Sequence, residues 1–258
     1  VFDSHCHPTD IDDPVAVIEA AVRAGVRSLL ACGYNAESNA KLEALRGELP
    51  WLPIALGVHP WYSDESTDEL PGQVLRAHAA AIGECGLDWS EQRPMPPRVV
   101  QRRAFEYQLD LAQQRALPVT VHSRQAIDAV REALEQFDSV RGVMHAFGGS
   151  FEQAKPFIER GWLIGIGGAV TRPEARRVRR LVTQLPLSSI ALETDCPAIG
   201  MAGVRGPDVR PAHVRRVAEA IGELRGVSGE LVIDTTSANV DALFGYPITR
   251  QLSAFDSS

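Results

Sequence analysis

The chain has 258 residues, 45% of them hydrophobic and 23% charged, with a formal net charge of −7 at neutral pH. This is the composition of an ordinary globular protein with material for one closed core, and no run approaches the roughly 18 uninterrupted apolar residues of a membrane helix. The acidic balance excludes non-specific nucleic-acid binding by the surface at large, though not a local basic site with bound cations.

In chain order, short apolar runs at 1–5, 26–32, 52–59, 80–87, 117–122, 141–145, 162–167 and 189–195 read as strands. Helical patterns fall between them at 14–24, 36–48, 98–115, 125–136, 151–160 and 173–184, with a weaker one at 63–78 and two closing helices at 211–225 and 228–244. Strands alternating with helices predict a parallel sheet with helical crossovers, buried on both faces. Eight strands are the number that closes a (β/α)8 TIM-type barrel, while an open doubly wound sheet has the same pattern. No repeat or linker divides the chain, so one domain is expected over 1–246, followed by a tail over 247–258.

The first residues lack the basic and apolar regions of a signal peptide, and the cytoplasm is the expected compartment. Cys6, Cys32, Cys85 and Cys196 form no CxxC pair and are expected to be reduced and buried.

The histidines and acids carry the functional signal. His5 and His7 close the first predicted strand, His59 the third, His122 the fifth and His145 the sixth. Glu84 lies within the fourth strand and Asp195 ends the eighth. In a barrel the C-terminal strand ends converge on one face, so these separated residues are expected to meet around one metal site. Alternation makes His5 and His7 point together while Cys6 turns away, and it relates Glu193 to Asp195 in the same way. His-x-His at a strand end suits a borderline metal ion.

The motifs Phe-Asp-Ser-His-Cys-His at 2–7, Gly-Val-His-Pro at 57–60 and Ile-Gly-Glu-Cys-Gly-Leu-Asp at 82–88 are followed by three more. These are Leu-Pro-Val-Thr-Val-His-Ser-Arg at 117–124, Met-His-Ala-Phe-Gly-Gly-Ser at 144–150 and Leu-Glu-Thr-Asp-Cys-Pro at 192–197. In this order, over nearly the whole chain, they resemble the TatD family of metal-dependent deoxyribonucleases, a branch of the amidohydrolase-type barrels. The resemblance implies two divalent ions (Mg, Mn or Zn), one bound by His5, His7 and Asp195, the other by His122 and His145, with Glu84 bridging. Such a pair activates water and clamps a phosphodiester oxygen. It also implies Asp195 as general base, exonucleolytic cleavage, and DNA or another phosphodiester as substrate, with no membrane and no obligatory protein partner.

Two positions depart from the family. Its Arg-Gly-x-x-Asn-x-Pro has Val209 in place of asparagine, and its His-x-Phe-Ser-Gly has Gly148 in place of serine. Both changes bear on the substrate rather than on the metal chemistry.

Arg124, two residues after His122, suits a phosphate oxygen; its alternative is a salt bridge holding the fifth loop. His59 has no partner at i±2 and reads as a phosphate or supporting contact rather than a ligand. Trp61, Tyr62 and Trp89 are expected to pack loops over the barrel mouth, with base stacking as the alternative. Arg172, Arg176, Arg179 and Arg180 recur at helical spacing and read as a solvated face.

A carboxylate-bridged amidohydrolase or a small-molecule phosphodiesterase on the same barrel is the competing function. A lysine-bridged subtype is disfavoured, because the only lysines, Lys41 and Lys155, fall on predicted outer helices.

Overall fold

The apolar runs become eight strands: β1 (Phe2–Cys6), β2 (Ser28–Cys32), β3 (Ile54–Leu56), β4 (Ala81–Asp88), β5 (Val119–Arg124), β6 (Gly142–Met144), β7 (Leu163–Ile166) and β8 (Ile190–Leu192). In this computed structural model, which describes residues 1–245 except 66 and 92, they form one parallel sheet in sequential order. The predicted tail lies outside the described residues. Helices α1 (Pro14–Arg23), α2 (Ala36–Glu48), α3 (Leu70–Arg76), α4 (Arg98–Arg115), α5 (Ile127–Leu134), α6 (Phe151–Glu159) and α7 (Arg176–Gln184) follow the first seven strands in turn. Two more, α8 (Val214–Arg225) and α9 (Gly229–Phe244), follow β8. This is a (β/α)8 barrel. Among the described residues no helix is long and apolar enough to cross a membrane.

The core divides by strand parity. Phe2, Leu30, Ala55, Ala81, Val143, Leu163 and Ala191 pack with Val240 and Phe244 of α9, forming one buried cluster. Their alternating neighbours, such as Leu29, Ile54, Ile82, Met144 and Ile190, join the helices in a second, larger one. Phe2 and Phe244 rings stack with centroids 6.4 Å apart.

Two strands break that parity, and both breaks serve the site. In β1 Phe2 belongs to the first cluster and Cys6 to the second, although both are even-numbered; the register shifts between Asp3 and Cys6. In β4 Ala81 and Cys85 differ in the same way, with a shift between Ile82 and Cys85. A bulge inserts one residue and re-aims every side chain after it. Without the second shift, alternation from Ala81 would send Glu84 away from the barrel axis. Gly83 carries φ 135° there, and a Cβ would stand 2.5 Å from Thr120 Cγ2, so no larger residue fits the bulge.

The seam between β1 and β8 is held by a side chain as well as by main-chain bonds. Asp3, fully buried, accepts hydrogen bonds from Thr194 N at 2.8 Å and Thr194 Oγ1 at 2.6 Å. Beyond it, Asp195 N donates to His5 O (2.9 Å) and His7 N to Cys196 O (2.8 Å). Burial pushes the Asp3 carboxyl well above its usual pKa, against the pull of the Thr194 bonds. Asp3→Ala is expected to cost about 2–4 kcal/mol by leaving two buried Thr194 donors unmatched. Denaturant unfolding of the alanine variant beside Asp3→Asn, which keeps an acceptor, checks this; equal stability of Asp3→Ala and the parent would show that the seam does not depend on Asp3.

Candidate metal centre

The side chains predicted to meet do meet. His5 and His7 stand with Nε2 atoms 3.2 Å apart. Glu84 lies between two sets of imidazoles. Its Oε2 is 3.4 Å from Nε2 of both His5 and His7. Its Oε1 is 3.1 Å from His122 Nδ1, 3.4 Å from His59 Nε2 and 3.9 Å from His145 Nε2. Asp195 Oδ1 is 3.4 Å from His7 Nε2, and its Oδ2 is 3.6 Å from His145 Nε2. Among the described residues, three overlapping groups here could hold a cation: His5, His7 and Glu84; His5, His145 and Asp195; and His59, Glu84 and His122. A separate fourth consists of Asp3, Cys6 and Cys196.

β8 is shorter than predicted, ending at Leu192, which changes the relation of Glu193 to Asp195. Asp195 does not continue the strand. Its φ is 51°, in the left-handed region, a conformation that non-glycine residues adopt at some cost and that recurs at functional sites. Glu193 and Asp195 therefore flank His145 from two sides. Glu193 Oε2 lies 3.2 Å from His145 Nδ1, while Glu193 Oε1 accepts from Ala146 N at 2.7 Å. Gly165 makes room for that carboxylate, since a Cβ there would stand 2.4 Å from Glu193 Oε2.

The outer partners of each ring decide which nitrogen is free. His7 Nδ1 lies 2.8 Å from Cys32 O, a group that only accepts, so Nδ1 carries a proton and Nε2 is the nitrogen turned to the site. His122 Nε2 lies 3.2 Å from Asp88 Oδ2, leaving Nδ1 toward Glu84. Glu193 acts on His145 Nδ1 in the same sense, and His5 Nδ1 rests 2.8 Å from Thr120 Oγ1. His59 is reversed. Its Nδ1 accepts the backbone N–H of Trp61 at 3.2 Å, so the neutral ring carries its proton on Nε2, pointing at Glu84. A ring in that state donates to the carboxylate and would ligate a metal only after releasing that proton.

Electrostatics follow the same division. Burial alone lowers an imidazole pKa. Asp195 and Glu84 overcome it at His7, which stands well above its usual value, and Asp88 and Glu84 raise His122. Glu193 and Asp195 push His145 up to about 9. At His59 burial prevails and the value falls to about 4. Against their own burial, the surrounding histidines hold Glu84 well below the usual carboxylate range, and His145 and His7 lower Asp195. The donor set thus gathers buried carboxylate charge that imidazolium protons balance. Divalent cations would balance it equally, releasing those protons. Nitrogen and carboxylate oxygen are the donors that borderline divalent metals take.

Asp88 was not singled out in the sequence. It is fully buried and accepts from Trp61 Nε1 (2.9 Å), Ser90 N (2.9 Å) and Ser90 Oγ (2.6 Å) as well as facing His122. Its position four residues after Glu84, on the same face of β4, was the available signal.

The centre floors a cavity of about 1060 Å³ lined in part by Tyr34, Trp61, Trp89, Arg124 and Arg172. Arg124 ends β5 exposed at the rim, and among the described residues it makes no salt bridge, so the loop-holding alternative has no partner. The aromatic residues are fixed in place. Trp61 is tied to Asp88 and lies under Arg93, and Trp89 lies under Arg98, each cation 4.6 Å from the ring centroid. Arg172 does not share a helical face with Arg176, Arg179 and Arg180, with which its spacing grouped it: α7 begins only at Arg176, and Arg172 sits in the preceding loop. The four cysteines are free and buried, with Cys6 Sγ turned to Leu30 O and Cys85 Sγ to Thr120 O. Val209 is fully buried in the helix-facing core. Lys41 and Lys155 pair with Glu37 and Glu159 on α2 and α6, away from the bridging position.

The model of TatD-related DNases matches residues 2–245. A metal-dependent hydrolase of Escherichia coli K12, YjjV, is 36% identical over 95% of this chain and 98% of its own. The crystal structure of the YjjV TatD homologue superposes with a TM-score of 0.85 at 32% identity, covering 95% of this chain and 98% of that one. A protein of Citrobacter koseri named 3′-5′ ssDNA/RNA exonuclease TatD is 32% identical over 92% of this chain and 93% of its own. With these motifs on one barrel rim, the chain belongs to the TatD family of metal-dependent hydrolases.

Proposed function

We propose that this hydrolase cleaves phosphodiester bonds of single-stranded nucleic acid, DNA foremost, from an end. The observation that carries the reading is Glu84 set between two groups of ligand-type histidines beneath an open cavity rimmed by the unpaired Arg124. The name of the Citrobacter koseri relative supports the same substrate.

His5, His7 and Asp195 would hold one divalent ion and His122 and His145 a second, with Glu84 shared. Bound there, such a pair supplies a nucleophilic water at neutral pH and stabilises charge on the phosphoryl oxygens. The protein's own groups do the rest. Asp195, held in its carboxylate form, accepts the proton of the attacking water. Arg124 offers its planar fork to a non-bridging phosphate oxygen. Asp88 and Glu193 orient His122 and His145, and His59 donates from Nε2 to Glu84, keeping that carboxylate aligned.

The test is a panel of metal-reconstituted protein on single-stranded DNA, RNA, simple phosphodiesters and cyclic amides. Turnover of the oligonucleotides is expected, and turnover of cyclic amides alone would overturn the reading. In Arg124→Ala, KM for DNA is expected to rise by about tenfold, the effect of losing roughly 1.4 kcal/mol of charge-assisted binding. Metal content should stay unchanged. Arg124→Lys should recover only part, because the fork is missing. Unchanged kinetics in the alanine variant would remove Arg124 from the site.

A further inference from the structure

Besides Arg124, two further arginines line the same cavity. Arg172, in the loop between β7 and α7, and Arg177, in the first turn of α7, both line the cavity above the histidine cluster. Among the described residues neither makes an ion pair, whereas other arginines such as Arg76, Arg131 and Arg205 do. Arg172 Nε is buried and has no hydrogen-bond partner. A buried guanidinium N–H left unmatched is costly, and it is accounted for when the partner is a ligand. The rim carboxylates Asp10 and Asp128 face the same cavity, yet neither pairs with these arginines, and Asp10 instead accepts from Tyr34 Oη at 3.0 Å.

The platform is rigid. Thr171 Oγ1 donates to Gly168 O at 2.7 Å and accepts from Ala202 N at 2.8 Å, tying the loop to the segment after β8. Arg179 Nη1 donates to Val170 O at 2.9 Å, fixing the loop to its own helix. The first turn of α7 contains no acidic residue, and its N-cap, Ala175, offers no side-chain bond. Two arginines at the positive end of a helix dipole repel it and each other. An anion beside them relieves both.

We infer that Arg172 and Arg177 form a second phosphate subsite, which takes a phosphate neighbouring the scissile one on the same strand. This rests on the phosphodiester reading above. β5 and β7 are two strands apart in the barrel, on the order of 10 Å at the sheet, with β6, which leads into His145, between them. A substrate held at one phosphate by Arg124 and at the next by Arg172 and Arg177 must carry at least two. The device therefore selects a strand over a lone phosphodiester.

The test is calorimetric binding of thymidine 3′,5′-bisphosphate and thymidine 5′-monophosphate to the metal-loaded protein. These probes differ by one phosphate spaced as on a strand, and binding is read without turnover. In the parent the bisphosphate is expected to bind about tenfold more tightly, an advantage that falls toward unity in the double variant Arg172→Ala/Arg177→Ala. The double lysine variant should keep part of it, since charge remains and the fork does not. A bisphosphate advantage absent from the parent, or retained in the alanine variant, overturns the subsite. If oligonucleotides are neither bound nor cut while the bisphosphate advantage exists and is lost with the arginines, the nuclease reading fails and the subsite stands.

Discussion

Glu84→Gln is expected to lose at least one metal equivalent and to reduce hydrolysis on the order of 10³-fold or more. Each Glu84 oxygen faces its own set of histidines, within 3.4 Å on the His5 and His7 side and at 3.1 Å on the His122 side. Glutamine keeps the shape but replaces one oxygen with an NH2 group that only donates. One of the two sets then meets a donor where it needs a shared anion. The charge that offsets repulsion between two ions is lost as well, and several kcal/mol of charge stabilisation correspond to several decades in rate. The barrel itself should persist, because the bulge that aims residue 84 is set by Gly83 against Thr120 rather than by the carboxylate. Glu84→Asp, which restores the charge on a shorter arm, should recover part of the metal content. Metal analysis alongside turnover decides the matter. A glutamine variant with two equivalents and parental rate would show that Glu84 bridges nothing.

Much of this arrangement was legible in the sequence because barrel geometry turns sequence position into spatial position. Residues at the C-terminal ends of strands converge whatever their separation in the chain, so His5, Glu84 and His145 could be gathered without coordinates. The lysine-free bridging position followed from counting two lysines and placing both on helices. What was hidden is local backbone geometry. Alternation from Phe2 or Ala81 would have aimed His5 and Glu84 away from the barrel axis, and only the register shifts in β1 and β4 reverse this. A bulge leaves little trace in a run of apolar residues, apart from a glycine such as Gly83. The split between Glu193 and Asp195 was hidden for a related reason: the left-handed turn at Asp195 ends the alternation that a strand would have imposed. The tautomer of His59 was illegible in principle, since it depends on where the Trp61 amide points. Arg172 was grouped with a solvated helical face because the spacing across 172–180 is helical, although the helix starts only at Arg176.

Asp195→Asn should abolish most hydrolysis while leaving a folded barrel. In the proposed mechanism metal binding and proton transfer meet in this one carboxylate, which faces His7 with one oxygen and His145 with the other. Asparagine is the discriminating replacement for a reason particular to this backbone. Residue 195 has φ 51°, and asparagine tolerates the left-handed region better than alanine or any branched residue. The main-chain bonds that stitch the seam, from Asp195 N to His5 O and from His7 N to Cys196 O, do not involve the side chain. The change also lies at the functional rim rather than the stability face of the barrel. The second proposed metal position, with His122, His145 and Glu84 as its ligands, should stay filled while occupancy of the first falls. Loss of the general base alone is expected to reduce the rate by about 10²–10⁴-fold, with weakened metal binding adding to it. Excess metal can refill the first position, but it cannot restore a basic oxygen, so the rate should remain low at full stoichiometry. Turnover measured beside metal content separates the two roles. A refilled asparagine variant as fast as the parent would mean that Asp195 neither accepts the proton nor is needed as a ligand, and the reaction would require a different base.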